Sequence, residues 1–184
     1  MIEQIPPSAE YIPNFITEEE EREIVKRVNS APQPKWTQLS HRRLQNWGGI
    51  PHPKGMIAEE IPSGHSDGPL FHPIVTTISC GSHTLLEFAK RLDTDDAHRK
   101  MLTPEFSFLL EPRSLLILRE KLYHDYLHSI TERYSDSIIS SQIRNLNLCS
   151  SNYRDGDVLK RGTRISLTIR HVPKTSKLKL KFGR

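Results

Sequence analysis

Several things are scarce in these 184 residues, and each scarcity excludes a class of protein. There are only two cysteines, Cys80 and Cys149, too few for a disulfide framework or a cysteine-rich zinc site. Reduced thiols in an intracellular protein are the expectation. No apolar run approaches membrane-spanning length, and the opening residues MIEQIPPSAEY lack the apolar stretch of a secretory signal. Glycine is outnumbered by proline, nine against thirteen, which predicts stiff turns and short strands rather than long helices. No charge of one sign dominates. A formal charge of +4 and a pI near 9.1 permit a nucleic-acid or acidic partner without requiring one. What is present, 35% hydrophobic and 26% charged residues, suits one soluble domain with a sizeable core.

Local patterns divide the chain. Residues 1–13 read as an irregular arm broken by prolines. Thr17 and Glu20 form a capping box ahead of EEEREIVKRV, with acids early and bases late, so a helix is predicted over 17–29. The following PKWTQLSHRRLQNWGGIPHPKGM sets Trp36 and Trp47 around Arg42 and Arg43. Aromatics interleaved with bases can clamp nucleic-acid bases, and the plainer alternative, favoured for at least one of the two, is that the indoles simply pack on the core. SFLLEPRSLLIL predicts two apolar strands around a Glu111-Pro112-Arg113 turn. His124 and His128 lie four apart and would share a helix face, an arrangement open to a small two-histidine metal site or to ordinary surface histidines. SSQIRNLNLCSSNYRDGD is rich in Ser and Asn and reads as a flexible insertion.

Two stretches carry chemistry. In GHSDG, His65 and Asp67 are two apart, so an extended backbone points both to one side. That is two-thirds of the 2-His-1-carboxylate set that holds Fe(II) on one face, although an isolated His-x-Asp also arises by chance. In RGTRISLTIRHV, Ile165, Leu167 and Ile169 alternate with Arg164, Ser166, Thr168 and Arg170, the signature of a strand. Two arginines on its polar face suit either a cavity that receives an anion or a solvent-facing sheet surface.

The ordered set of His65/Asp67, a later His and Arg164-x5-Arg170 resembles the AlkB branch of the Fe(II)/2-oxoglutarate dioxygenases. The Trp36–Trp47 block, DGPLFHP through GSHTLLEF, LLEPRSLLIL and RGTRISLTIRHVP all look like the AlkB homologue six group, and together they span most of the chain. The resemblance implies a mainly β fold with a flanking N-terminal helix (α+β), built as a double-stranded β-helix or jelly roll. It implies Fe(II) held by His65, Asp67 and His128, with His128 rather than His124 selected by the LHSI block. It also implies 2-oxoglutarate held by Arg164, Ser166 and Arg170, with molecular oxygen as the other reactant. The implied reaction is oxidative hydroxylation, typically of an N-alkyl group. Trp36, Arg42, Arg43 and Trp47 are the substrate-binding candidates, with nucleic acid and protein both open as substrates. The expected location is the nucleus or cytoplasm, away from membranes.

Three regions follow: an N-terminal extension with the helix and a Trp/Arg-rich lid-like segment (1–62), a dioxygenase-like core with a flexible insertion near 120–160 (63–174), and a basic tail (175–184). One departure stands out. The family's Asn-x-Tyr strand should precede His-x-Asp, yet AEEIPS runs directly into GHSDG and Asn152-Tyr153 does not match it. The chain therefore looks like a shortened form with an incomplete jelly roll. Two other readings compete: a non-enzymatic relative that binds nucleic acid or protein, and a zinc protein built on His124 and His128.

Overall fold

The structure is a computed structural model that describes residues 6, 8–31, 36–38, 43–45, 71–91 and 103–171. His65, Asp67, Arg42, Trp47 and the basic tail lie outside the described residues.

Strand β1 (Ala9–Ile12) leads to helix α1 (Glu18–Ser30). The capping box forms as its sequence predicts: Glu20 N donates to Thr17 Oγ1 at 3.2 Å and Thr17 N donates to Glu20 Oε2 at 2.8 Å. Strands β2 (Trp36–Gln38) and β3 (Arg43–Gln45) make a small antiparallel pair. Then come β4 (Ile74–Gly81), β5 (Thr84–Lys90), β6 (Phe106–Leu110) and β7 (Leu115–Arg119). The short helix α2 (Glu120–His124) precedes β8 (Tyr126–Ser129), β9 (Ser135–Ser137), β10 (Val158–Lys160) and β11 (Arg164–Arg170). The described chain is thus mainly β with a flanking N-terminal helix.

Two antiparallel sheets form the body, one in the order β1-β7-β4-β11 and the other β6-β5-β8. The turn at Gly81 carries the chain from the first sheet to the second, and the turn at Glu111–Ser114 carries it back. Gly81 is at φ +83, and a Cβ there would sit 2.4 Å from the Thr163 carbonyl oxygen. Only glycine fits this crossing. The sheets bury Ala9, Tyr11, Leu116 and Leu118 from one side against Leu86, Phe88, Phe106, Phe108 and Leu110 from the other. Phe88 stacks on Phe106 at 5.1 Å between centroids and tilts against Phe108 at the same distance. Each such fully buried side chain contributes about 1.5–3 kcal/mol.

The far face of the second sheet is covered too. Leu85 and Leu109 pack against Ile138 and Ile143, with Leu146, Cys149, Tyr153 and Leu159 around them. This corrects the expectation of a flexible insertion, because the Ser/Asn-rich stretch is a packed layer. Its polar residues look loop-like in sequence but are satisfied internally. Asn145 is fully buried; its Nδ2 donates to Leu109 O and its Oδ1 accepts from Leu109 N, both at 2.8 Å. Buried Glu111 accepts from the Tyr11 and Tyr153 hydroxyls, from Ser150 N and Oγ, and from Ser151 N.

The helical pairing of His124 and His128 does not form. Helix α2 ends at His124, and β-pairing with β5 puts His128 in strand β8. Ladder bonds and Phe88 burial outcompete one more helical turn. The two-histidine zinc site loses its geometric basis.

Candidate functional site

In an antiparallel ladder, directly opposed residues share a face. Reading across the first sheet, Ala9, Leu118, Val75 and Arg170 form one row, and Tyr11, Leu116, Thr77 and Thr168 the next. Ser79 opposes Ser166 and Gly81 opposes Arg164. Ala9, Tyr11, Leu116 and Leu118 belong to the core between the sheets. Arg164, Ser166, Thr168 and Arg170 therefore lie on the inner side. The apolar residues Ile165, Leu167 and Ile169 face outward, and Ile169 is 56% exposed. This inverts the usual rule for a half-buried strand.

Arg164 is half-buried, and its Nη2 donates to Ser79 Oγ at 2.9 Å and approaches Ser166 Oγ at 3.5 Å. Its Nε is buried without a hydrogen-bond partner, and among the described residues no carboxylate pairs with it. Burial lowers the guanidinium to about 10, opposed by the nearby Cys80 thiol and reinforced by the charge of Arg161. A desolvated cation holding only hydroxyls is a receptor for an anion. Ser166 extends the polar strip to Thr168, 3.5 Å away. Arg170, at the far end, has its guanidinium 5.5 Å from the Phe71 ring centre.

His128 lies on the opposing sheet. It pairs with Phe88, a core residue, so its side chain shares the inner face; the two rings are 6.2 Å apart. Among the described residues no three His, Cys, Asp or Glu side chains gather into a metal-binding group. Trp36 and Arg43 meet, with the guanidinium 4.2 Å over the indole and Arg43 Nη2 donating to Asn29 Oδ1 at 3.0 Å.

Behind the site lies a charged cluster that no short motif announces. Asp136 is fully buried. Arg161 grips it with Nε at 2.6 Å and Nη2 at 2.7 Å, while its Nη1 donates to Thr131 O at 2.7 Å. Arg133 Nε lies 2.8 Å from Asp136, and Arg133 also pairs with Glu87. Burial alone would raise the Asp136 carboxyl. The His83 ring 3.3 Å away, the hydrogen bonds from Arg161, and the charges of Arg161 and Arg133 outweigh it and hold the group far below the usual range. Arg133 is three residues from Asp136, but Arg161 and Glu87 come from far along the chain, so no local pattern marks the cluster.

No family model matches the chain. Among curated proteins it is similar to "Probable RNA/DNA demethylase ALKBH6" of Danio rerio, 40% identical over 222 residues that cover 100% of this chain and 94% of the relative. Since the matched region is longer than the 184 residues here, the relative has internal residues that this chain lacks. Among the described residues no helix is long and apolar enough to cross a membrane. With identity of that level along its whole length, and with the arginine strand and the later histidine on facing sheets, the chain belongs to the AlkB homologues of the ALKBH6 type.

Proposed function

We propose that this chain is an Fe(II)- and 2-oxoglutarate-dependent oxygenase of the AlkB type, acting on N-alkyl groups with nucleic acid as the favoured substrate. The observation that carries this reading is Arg164, a half-buried cation on the inner sheet face whose Nε lacks a partner. A bidentate carboxylate is the natural complement of that fork, and 2-oxoglutarate presents one at each end. Arg164 would take the distal carboxylate with Ser166 beside it, and Arg170 would line the cosubstrate or substrate pocket. His128 offers a neutral imidazole from the opposite sheet; His65 and Asp67 would complete the iron set, leaving coordination positions open. Bound iron, 2-oxoglutarate and oxygen would supply the hard chemistry, oxidative decarboxylation to succinate and carbon dioxide coupled to hydroxylation of an N-alkyl carbon that then leaves as an aldehyde. The chain's own part is to hold the acid, fix the imidazole and seat the substrate. Trp36 under Arg43 offers a stacked aromatic–cation pair for a base, and the Danio rerio relative is named a probable RNA/DNA demethylase.

The test is anaerobic Co(II) titration of wild type, His65→Ala, Asp67→Ala and His128→Ala, followed by 2-oxoglutarate calorimetry on wild type and Arg164→Lys. Each alanine should weaken metal binding. Lysine keeps the charge but loses the planar fork, so it should weaken the acid by about tenfold or more. Equal affinities throughout would overturn the reading.

A second reading is favoured by the internal residues that this chain lacks relative to its kin. Without the Asn-x-Tyr strand, the chain would keep its iron ligands but turn over little or no 2-oxoglutarate, and would act as a non-enzymatic relative that binds nucleic acid or protein. Measuring succinate release separates the two.

A further inference from the structure

The charged cluster behind the site joins the two strands that carry the candidate ligands. Thr131 follows His128 by three residues, and Arg161 precedes Arg164 by three. Arg161 Nη1 donates to Thr131 O at 2.7 Å, so one guanidinium spans the exit of β8 and the entry of β11. The other two nitrogens are locked on Asp136. Thr131 Oγ1 and Arg133 both bind Glu87 on β5, the strand that pairs with β8. On the β11 side, Gly162 N donates to Ser82 Oγ at 2.8 Å, and His83 of the same turn lies 3.3 Å from Asp136. β8 and β11 belong to different sheets and share no ladder. The backbone turn at Gly81 joins those sheets at this end, and these contacts add a direct tie between the exit of β8 and the entry of β11.

We infer that Arg161, Asp136 and Glu87 form a positioning clamp that fixes β8 relative to β11, and so His128 relative to Arg164. None of the three need touch cosubstrate. The consequence for ligand binding rests on the function proposed above; the consequence for the strands does not. A half-buried, fully engaged guanidinium is pre-organised and tolerates little displacement, and binding sites lose affinity when their supporting contacts loosen.

The test uses the full chain with Asp136→Asn, Arg161→Lys and the milder Thr131→Val. Hydrogen exchange without ligand is read at Tyr126–Ser129, Arg164–Arg170 and, as reference, Leu115–Arg119. Exchange should quicken in the first two and hold in the third. Quickening confined to β9 and β10, or spread evenly over all strands, overturns the clamp. If Asp136→Asn does not fold, Thr131→Val should give the same pattern at smaller size, and unchanged exchange there also overturns it. Calorimetry on Co(II)-loaded protein should show 2-oxoglutarate binding about tenfold weaker in Arg161→Lys. Asn145→Ala, matched for loss of melting temperature, should leave that affinity unchanged; equal losses in both would make the cluster merely structural. If exchange responds as expected while wild type binds no 2-oxoglutarate, the proposed function fails and the strand clamp stands.

Discussion

Glu111 concentrates the physics of this fold in one side chain. It is 3% exposed, has no cationic partner among the described residues, and accepts from two tyrosine hydroxyls, a serine hydroxyl and two backbone amides. Tyr11 OH serves twice, donating to the carboxylate and accepting from Glu111 N. Such a carboxylate is held by donors rather than by an opposite charge. Changing Glu111 to Gln keeps the shape but turns one acceptor into a donor facing other donors. We expect a loss of about 2–3 kcal/mol, the cost of unsatisfied buried groups, seen as a lower midpoint in urea melts with an unchanged slope. A loss below about 0.5 kcal/mol, ordinary for surface positions, would mean that water replaces these contacts. Arg164 is the contrasting case, a cation whose contacts are incomplete, and that incompleteness makes it a candidate for binding rather than for stability.

At the scale of elements, β6 shows how the covering layer works. The strand is at the end of its sheet, where bare backbone groups invite pairing with another chain. Residues 142–145 occupy that edge. Ser107 N donates to Gln142 O at 2.8 Å, Arg144 N donates to Ser107 O at 3.0 Å, and Asn145 closes both polar groups of Leu109 with its amide. The side chain of Asn145 thus stands in for a peptide unit of a neighbouring strand. Asn145→Ala would leave two backbone groups unpaired in a buried place, and about 2–6 kcal/mol of destabilisation is expected at about 1–3 kcal/mol per orphaned group. Light scattering during refolding should also rise, since the edge reopens. A variant that melts like wild type would show that the Gln142–Arg144 pairing alone covers β6.

Across the whole molecule, the buried acid Asp136 predicts how stability responds to pH. Its native pKa is far below its unfolded value of roughly 3.9. The unfolded chain therefore binds more protons between the two values, and stability rises with pH across that window. The contribution is complete above the unfolded value and drains as pH falls from about 4 toward the native value, at up to about 1.4 kcal/mol per pH unit. Melts between pH 6 and pH 3 should fall more steeply for wild type than for Asp136→Asn. The variant itself should lose about 3–5 kcal/mol at neutral pH, because its arginines lose their counter-charge. Parallel curves would remove Asp136 from the acid response. Length gives the other molecule-scale prediction. Inserting the family's Asn-x-Tyr block between residues 63 and 64 should raise the melting temperature and succinate output together, since added strands cover open sheet edges. Equal melting and equal turnover in the two forms would show the block to be dispensable.

The sequence by itself determined whatever depends on neighbours along the chain. Thr17 and Glu20 are three apart and cap their helix by reaching one turn, so the box was readable. SFLLEPRSLLIL gave its two strands because a proline turn and apolar runs are local signals, and the alternation over Arg164–Arg170 gave β11 for the same reason. The shared motifs gave the family. Tertiary structure alone decided which side of β11 faces the core, since period two defines two faces and does not rank them. The outcome, arginines inward and Ile169 outward, follows from the register with β4 and from Leu116 and Leu118 further across the sheet. It alone decided that Asn145 and Asp136 are interior residues, because their partners lie far away in the chain. It also separated His124 from His128, since pairing with β5 stabilises more backbone than a further helical turn would.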